Sequence, residues 1–302
     1  MILFSSAQYS SPPSHLQASM AHQQKTASFA NFPIAMKSRL AIAAIFKHEN
    51  DYLQEWIEFH RLVGFDHFFL YDNDGSEETR ALLQGYTESG LVTLHPWTHL
   101  DNTRHDSVTR FGGRDKNHMA FGHAATHHRD DCDWLMKVDI DEFVMPTDSE
   151  SVRSVIDRYD RDEIKGLQLP RVNFGDGGHR DKPEGLVVES YTRREQEISD
   201  HKDLANTRFL SDNRFKNSAH SWGYRFLGGG RKVSLGEIEG LRINHYYTKS
   251  LEECLLRQNM MLTRPKTEDE FIEQNRHLNE VVDESMLRFV PELKKRIDHP
   301  SY

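Results

Sequence analysis

The residues best able to do chemistry are Asp139 and Asp141, which close the apolar run Trp134-Leu135-Met136-Lys137-Val138. Residues two apart on a strand point to one face, so the two carboxylates are predicted to be neighbours while Ile140 points away. Close carboxylates repel, and burial strengthens the repulsion. A divalent cation removes that conflict, and carboxylate oxygen suits a hard ion such as Mn²⁺ or Mg²⁺. Such ions commonly share their coordination with substrate phosphates. The competing reading of a bare Asp-x-Asp is an acidic turn open to water. Its position behind an apolar strand favours the metal.

The surrounding elements decide what these carboxylates can meet. Leu40-Ala41-Ile42-Ala43-Ala44-Ile45-Phe46 lacks polar alternation, as strands buried on both faces do. Tyr52, Trp56, Phe59 and Val63 recur at helical spacing, and Gly64 is placed to end that helix. Residues 68–71 read as a second strand, stopped by the turn signal Asp72-Asn73-Asp74-Gly75. Ser76 is a good N-cap for the next helix, with Glu77 and Glu78 in its first turn. Residues 91–94 form a third strand, and a further helix is predicted over 116–129 with Met119, Ala120 and Ala124 inward. The alternation over 40–94 implies a parallel sheet with helices on its faces. Ligands bind outside the carboxyl ends of the strands in such sheets. Three polar clusters, at 47–50, 72–74 and 139–142, are placed there.

The second half is less regular. Val152, Val155, Ile156 and Tyr159 predict a short helix. Strands are expected at 166–171, 186–190 and 241–247, with a flexible glycine-rich loop over 173–182. Residues 192–214 are charged and lack periodicity. Ser250 with Glu253 forms a capping box opening a helix that should run through Met261, and 268–290 reads as helical.

Composition narrows the function classes. Among 302 residues, 47 acidic against 38 basic give a formal charge of -9, unlike a general nucleic-acid binder. Two distant cysteines, Cys132 and Cys254, exclude a disulfide framework and a four-thiolate zinc site. No stretch approaches the ~18–20 apolar residues of a membrane span. Residues 1–36 carry no acid and are rich in Ser, Gln, Ala and Pro, which reads as a disordered leader or an over-extended start. An organelle transit peptide is the sharper alternative, although such peptides want arginines. The expected location is cytoplasmic, with peripheral attachment to a membrane left open. The chain holds 18 histidines, and His118, His123, His127 and His128 crowd one predicted helix. His123 and His127, four apart, could bind zinc. Without a His-Glu-x-x-His motif, metalloprotease chemistry is not expected, and a solvated or partly packed helix face is.

The run FKHENDYLQEWIEFHRLVGFDHFFLYDNDGSEETRALLQ, followed by WLMKVDIDEFVMP and by Asn244-His245-Tyr246-Tyr247-Thr248-Lys249-Ser250-Leu251-Glu252-Glu253, resembles the GT-A glycosyltransferases. More narrowly, it resembles the family 92 group and its family 2-like bacterial relatives, over roughly residues 40–260. The resemblance implies a Rossmann-like α/β fold with a mixed, mostly parallel sheet and helices on both faces. The domain would span 39–265, with a nucleotide-binding half at 39–145 and an acceptor half at 146–265. A C-terminal helical extension would follow at 266–302. The implied reaction moves a sugar from a nucleotide-sugar donor, UDP-linked with galactose as the candidate, to a hydroxyl of a glycan or glycoconjugate, with inversion. By residue, Asp72 matches the acid that reads the base, Asp139 the residue near ribose and metal, and Asp141 the direct ligand of Mn²⁺ or Mg²⁺. His245 matches a C-terminal metal-binding histidine. The order His48-Glu49-Asn50 departs from the relatives, so the role of Glu49 on the donor side stays open.

Cleaving the sugar–phosphate bond leaves a diphosphate whose growing charge a divalent ion stabilises as a Lewis acid. Lys47, Lys137, Lys216 and Arg225 are candidate donor-side cations. The attacking hydroxyl needs a base near its proton, and Asp176, Glu195 and His220 are candidates. His220 reads rather better as an acceptor-side or diphosphate contact, beside Trp222, which could stack on a sugar. Two rival functions remain. A nucleotidyltransferase would carry a glycine-rich basic loop after its first strand, where Lys47-His48-Glu49-Asn50 stand instead. A non-catalytic glycan-binding homologue would leave intact Asp139 and Asp141 without a purpose, although an inactive relative could retain them.

Overall fold

The computed structural model describes residues 39–98, 116–149, 151–198, 200–211, 217–225, 229–256 and 265–300. In chain order the elements are β1 (Leu40–Phe46), α1 (Asn50–Leu62), β2 (His67–Asp72), α2 (Glu77–Glu88), β3 (Val92–Pro96) and α3 (Lys116–His127). β4 (Trp134–Lys137), β5 (Glu142–Pro146), α4 (Val152–Tyr159), β6 (Ile164–Phe174), α5 (Val187–Ser190), β7 (Arg193–Arg194) and β8 (Asp200–Asn206) follow. Last come β9 (Arg231–Val233), β10 (Leu241–Tyr246), α6 (Leu251–Leu256), α7 (Glu268–Leu278), β11 (Val281–Val282) and α8 (Val290–Asp298). Among the described residues all eleven strands join one mixed sheet, whose main path runs β11-β7-β6-β8-β4-β1-β2-β3. The β4-β1-β2-β3 side is parallel, while β8 runs antiparallel to both β4 and β6. β10 pairs antiparallel with β5 and parallel with β6.

Strand β1 is buried on both faces, as its unbroken apolar run predicts. Leu40, Ile42 and Ala44 face one core with Trp56, Phe59 and Leu70, whereas Ala41 and Ala43 face a second with Phe69, Ala120 and Ala124. The small alanines let α3 approach the sheet closely. Gly64 adopts φ +107°, which a side chain would resist, and lies two residues beyond the end of α1. Ser76 Oγ accepts the Thr79 N–H at 3.1 Å, so the predicted cap of α2 forms. The Ser250–Glu253 box forms too: Ser250 Oγ donates to Glu253 Oε2 at 2.6 Å and accepts the Glu253 N–H at 3.2 Å. Met261 and the leader at 1–36 lie outside the described residues.

Four local expectations are corrected. Residues 187–190 are helical rather than extended, because Glu55 of α1 accepts the Val187 and Val188 N–H groups at 2.8 and 3.0 Å. A carboxylate distant in sequence thus satisfies the donors of a helix start. The stretch 192–214 contains β7 and β8. β8 sits near the middle of the sheet although it reads Asp-His-Lys-Asp-Leu-Ala-Asn. Lys202 and Asp203 are buried there with charged partners, so no apolar periodicity marks the strand. The helix over 116–129 stops at His127. Finally, 268–290 breaks after Leu278 into β11, which pairs antiparallel with β7, before α8 begins at Val290. Phe289 packs edge-on against Phe59 at 5.5 Å, fastening this segment to α1. Among the described residues no helix is long and apolar enough to cross a membrane.

Burial pushes the Glu55 carboxyl up to about 7, although the two N–H donors work against that rise. A carboxyl raised on folding contributes stability at low pH that is lost as pH climbs from about 4.5 through about 7, on the order of 3 kcal/mol here. Glu55→Gln should flatten that portion of the pH dependence in urea melts between about pH 4 and pH 8. Parallel curves for the variant and the parent would refute the assignment.

Candidate active site

The acidic motif lies in a turn, not on a strand. β4 ends at Lys137, and residues 139–141 turn the chain before β5 starts at Glu142. The expected period-two alignment of the two carboxylates is therefore replaced by a turn that aims them at different partners. Trp56 of α1 holds the turn, its Nε1–H donating to the carbonyls of Asp139 (3.1 Å) and Glu142 (2.9 Å). The Glu142 N–H reaches the Asp139 carbonyl at 3.0 Å, and the Asp139 N–H reaches Glu142 Oε2 at 2.9 Å. The helical stripe that buries Trp56 is thus the same feature that fixes the acids.

From this turn a chain of alternating charges runs across the sheet. Lys202 Nζ, buried on β8, donates to Asp139 Oδ2 at 2.9 Å and also to Glu142 Oε2. Burial works against the ammonium, but the two carboxylates outweigh it and hold Lys202 above its ordinary pKa. Glu142 Oε1 accepts from Arg171 at 3.1 Å, and Arg171 donates to Asp200 Oδ2 at 2.8 Å. Arg171 and Asp200 are register partners on β6 and β8, which places their side chains together. Asp200 Oδ2 then lies 3.0 Å from His220 Nδ1. Burial would raise the Asp200 carboxyl, but the His201 N–H, Arg171 and His220 outweigh it and lower the pKa. Sequence reasoning missed Lys202, Arg171 and Asp200. Acid and base two apart in 200–202 were the available signal, hidden by the lack of apolar residues.

The antiparallel and parallel neighbours of β10 place His245 opposite Glu142 on β5 and Asn173 on β6. His245 Nδ1 donates to Asn173 Oδ1 at 2.8 Å, which directs Nε2 toward Asp141 Oδ1, 3.6 Å away. Glu195 Oε1 accepts the Asn173 N–H at 2.7 Å and so supports this arrangement from behind. Asp141 and His245 are 5% and 7% exposed, while the Asp139 side chain is 34% exposed. A carboxylate and an imidazole converging in this way suit a divalent ion as ligands. Asp139 fits less directly, because one oxygen already meets the Lys202 ammonium.

The other predicted residues are placed as follows. Asp72 is buried, and its Oδ1 accepts the Asp74 and Gly75 N–H groups, both at 2.8 Å, closing the turn after β2. Asp74 in turn lies 2.9 Å from His48. Lys47 and Glu49 stand between β1 and α1, and the Glu49 carbonyl accepts the first N–H of that helix turn from Tyr52 at 2.9 Å. Lys137 is corrected as a donor contact. Its ammonium is fully buried, donating to the carbonyls of Ser218 (2.6 Å) and Ser221 (2.8 Å) over the Trp222 ring at 4.0 Å. Burial lowers its pKa well below that of an ordinary lysine. Trp222 is likewise buried and holds the loop rather than presenting a face to a sugar. Asp176 is drawn toward α7: its N–H donates to Asn275 Oδ1 at 2.8 Å and its carboxylate accepts from Asn279. Arg225 Nε donates to the Leu210 carbonyl at 3.0 Å. Lys216 lies outside the described residues.

The model of the family described as glycosyltransferase family 92 matches residues 40–285. A family 92 protein of Oryza sativa subsp. japonica is 25% identical over 211 residues, 68% of this chain and 33% of the relative. One of Arabidopsis thaliana is 24% identical over 223 residues, 70% of this chain and 35% of the relative. The chain thus spans about a third of the length of the curated relatives it matches. Among solved structures, S. aureus TarS 1–349 in complex with UDP aligns at TM-score 0.35 and 9% identity, covering 85% of this chain and 71% of that one. With the family model extending from β1 past β11, the chain belongs to glycosyltransferase family 92.

Proposed function

We propose that the protein is a metal-dependent glycosyltransferase that moves a sugar from a nucleotide-sugar donor to a hydroxyl of a glycan or glycoconjugate. The observation that carries this reading is the convergence of Asp141 and His245 behind the turn after β4. Asp141 and His245 would hold Mn²⁺ or Mg²⁺, with Asp139 at the rim, and the ion would neutralise a diphosphate leaving group. The donor is read as UDP-linked, with galactose as the candidate sugar, and the outcome as inversion.

His220 is the preferred base. Its Nδ1 faces Asp200 Oδ2 (3.0 Å) and the His201 carbonyl (3.2 Å), so Nδ1 carries the proton and Nε2 is the basic nitrogen. A carboxylate on the far nitrogen orients the ring and stabilises the imidazolium formed when Nε2 takes the proton of the acceptor hydroxyl. Glu195 and Asp176 are engaged by backbone and by asparagines, and they read as supports of the site. Arg171 and Lys202 tie the His220–Asp200 pair to the acidic turn, so base and donor site share one framework.

Thermal-shift measurements with nucleotide sugars should show stabilisation that needs both the nucleotide and Mn²⁺ and is lost in Asp141→Ala. If no nucleotide stabilises the parent protein with metal present, the donor-binding reading fails. His220→Asn should keep that stabilisation but lower kcat by about 10²–10⁴-fold, the usual contribution of a general base. A kcat within about twofold of the parent would remove His220 from that role.

A further inference from the structure

On the opposite face of the sheet from α1, three imidazoles gather at the outer edge. His95 is the penultimate residue of edge strand β3, His123 lies on α3, and His128 immediately follows that helix. One ring nitrogen or more from each lies within 4.8 Å of the others. His95 Nε2 and His128 Nε2 are 2.9 Å apart. A tetrahedral zinc with bonds of about 2.05 Å wants its ligand nitrogens about 3.3 Å apart, so the observed spacing brackets what such an ion needs.

The rings are also oriented from behind. His128 Nδ1 meets the Asp131 carboxylate at 2.8 Å, and His123 Nδ1 meets the Tyr71 hydroxyl at 2.9 Å. The carboxylate on Nδ1 turns the His128 Nε2 toward His95, the arrangement that metal-binding histidines use, and the Tyr71 hydroxyl fixes the His123 ring. Phe69 stacks on His128 at 4.0 Å and Tyr71 stacks on His95 at 4.8 Å, which limits rotation of both imidazoles. The cluster is not the acidic turn: β3 lies three strands from β4, about 14 Å at ~4.8 Å per strand. All ligands are nitrogen, whereas the turn after β4 offers mainly oxygen.

We propose that His95, His123 and His128 form a second metal site, for a borderline divalent transition ion with Zn²⁺ foremost. Three neutral imidazoles select zinc, cobalt, nickel or copper over magnesium or calcium, which prefer oxygen. With three protein ligands the fourth position goes to water. Two imidazole nitrogens 2.9 Å apart share one proton, which His128 accepts because its own proton sits on Nδ1 against Asp131. On ligation that proton of His95 moves to its Nδ1, so both Nε2 lone pairs meet the ion and no net charge is released. The ion would cross-link the edge strand to α3.

The test uses the full chain, freed of metal by chelation, titrated with Zn²⁺ or Co²⁺ alone. In Asp141→Ala, which lacks the acidic-turn site, one equivalent should bind and raise the melting temperature, and Co²⁺ should give the ligand-field bands of a tetrahedral nitrogen-rich site. That binding should disappear when His95→Ala and His128→Ala are added to Asp141→Ala. Asp131→Asn, at the surface and safe for folding, should weaken Zn²⁺ binding by about 10–100-fold. Absence of binding in Asp141→Ala, or undiminished binding when His95→Ala and His128→Ala are added to it, would overturn the proposal.

Discussion

The structure depends on one buried ammonium. Lys202 is 1% exposed and lies between the carboxylates of Asp139 and Glu142. A lone buried charge is costly, and a pair stripped of one member typically loses about 3–5 kcal/mol. Here two acids share one cation, and Arg171 supplies a second to Glu142. These contacts allow a polar strand, β8, to run between β4 and β6 at the centre of the sheet. They also set the turn after β4, so that Asp139 and Glu142 face Lys202 while Asp141 faces His245. The electrostatic balance of the centre and the geometry of the candidate metal ligands are thus one arrangement.

The parts of the fold legible in the sequence were those whose physics is local. β1, α1 and β2 follow from apolar runs and helical spacing, and the caps at Ser76 and Ser250 follow from side-chain reach. What escaped was set by partners distant in sequence. α5 is helical because Glu55, on α1, satisfies its first N–H groups. β8 is a strand because Asp139 in the turn after β4, Glu142 on β5, Arg171 on β6 and Lys232 on β9 pair with its charged side chains. Lys137 illustrates the same limit in the site: at the end of an apolar strand it reads as a cation for a diphosphate, yet the loop carrying Ser218 and Ser221 folds over it. Asp141 was singled out as part of an Asp-x-Asp closing an apolar run, and His245 because its surrounding motif resembles a family, whereas Asp200 and Lys202 carried no such mark.

The sheet uses its two faces differently. One packs the larger aromatic and aliphatic side chains of α1, α4 and α8, and through Trp56 it governs the acidic turn. The other packs small residues of α3 closely against β1, and at its edge it collects imidazoles and aromatic rings. Three of the eighteen histidines gather there, in a cluster that needs β3 as well as α3 and so is invisible to helical spacing alone.

The separation of Lys202 from its partners also bears on how the chain comes to be folded. β1, β2 and β3 pair through single-helix crossovers, so their contacts can form early, and β4 closes on β1 before β8 is made. Asp139 and Glu142 wait 63 and 60 residues for Lys202. At ribosomal speeds of ~5–20 residues per second, that is about 3–12 s during which the nascent sheet carries this turn without Lys202, with Arg171, 29 residues after Glu142, as the earlier cation. His245 arrives later still. The β1–β4 part of the sheet can thus form with its central charge incompletely balanced, and β8 completes it.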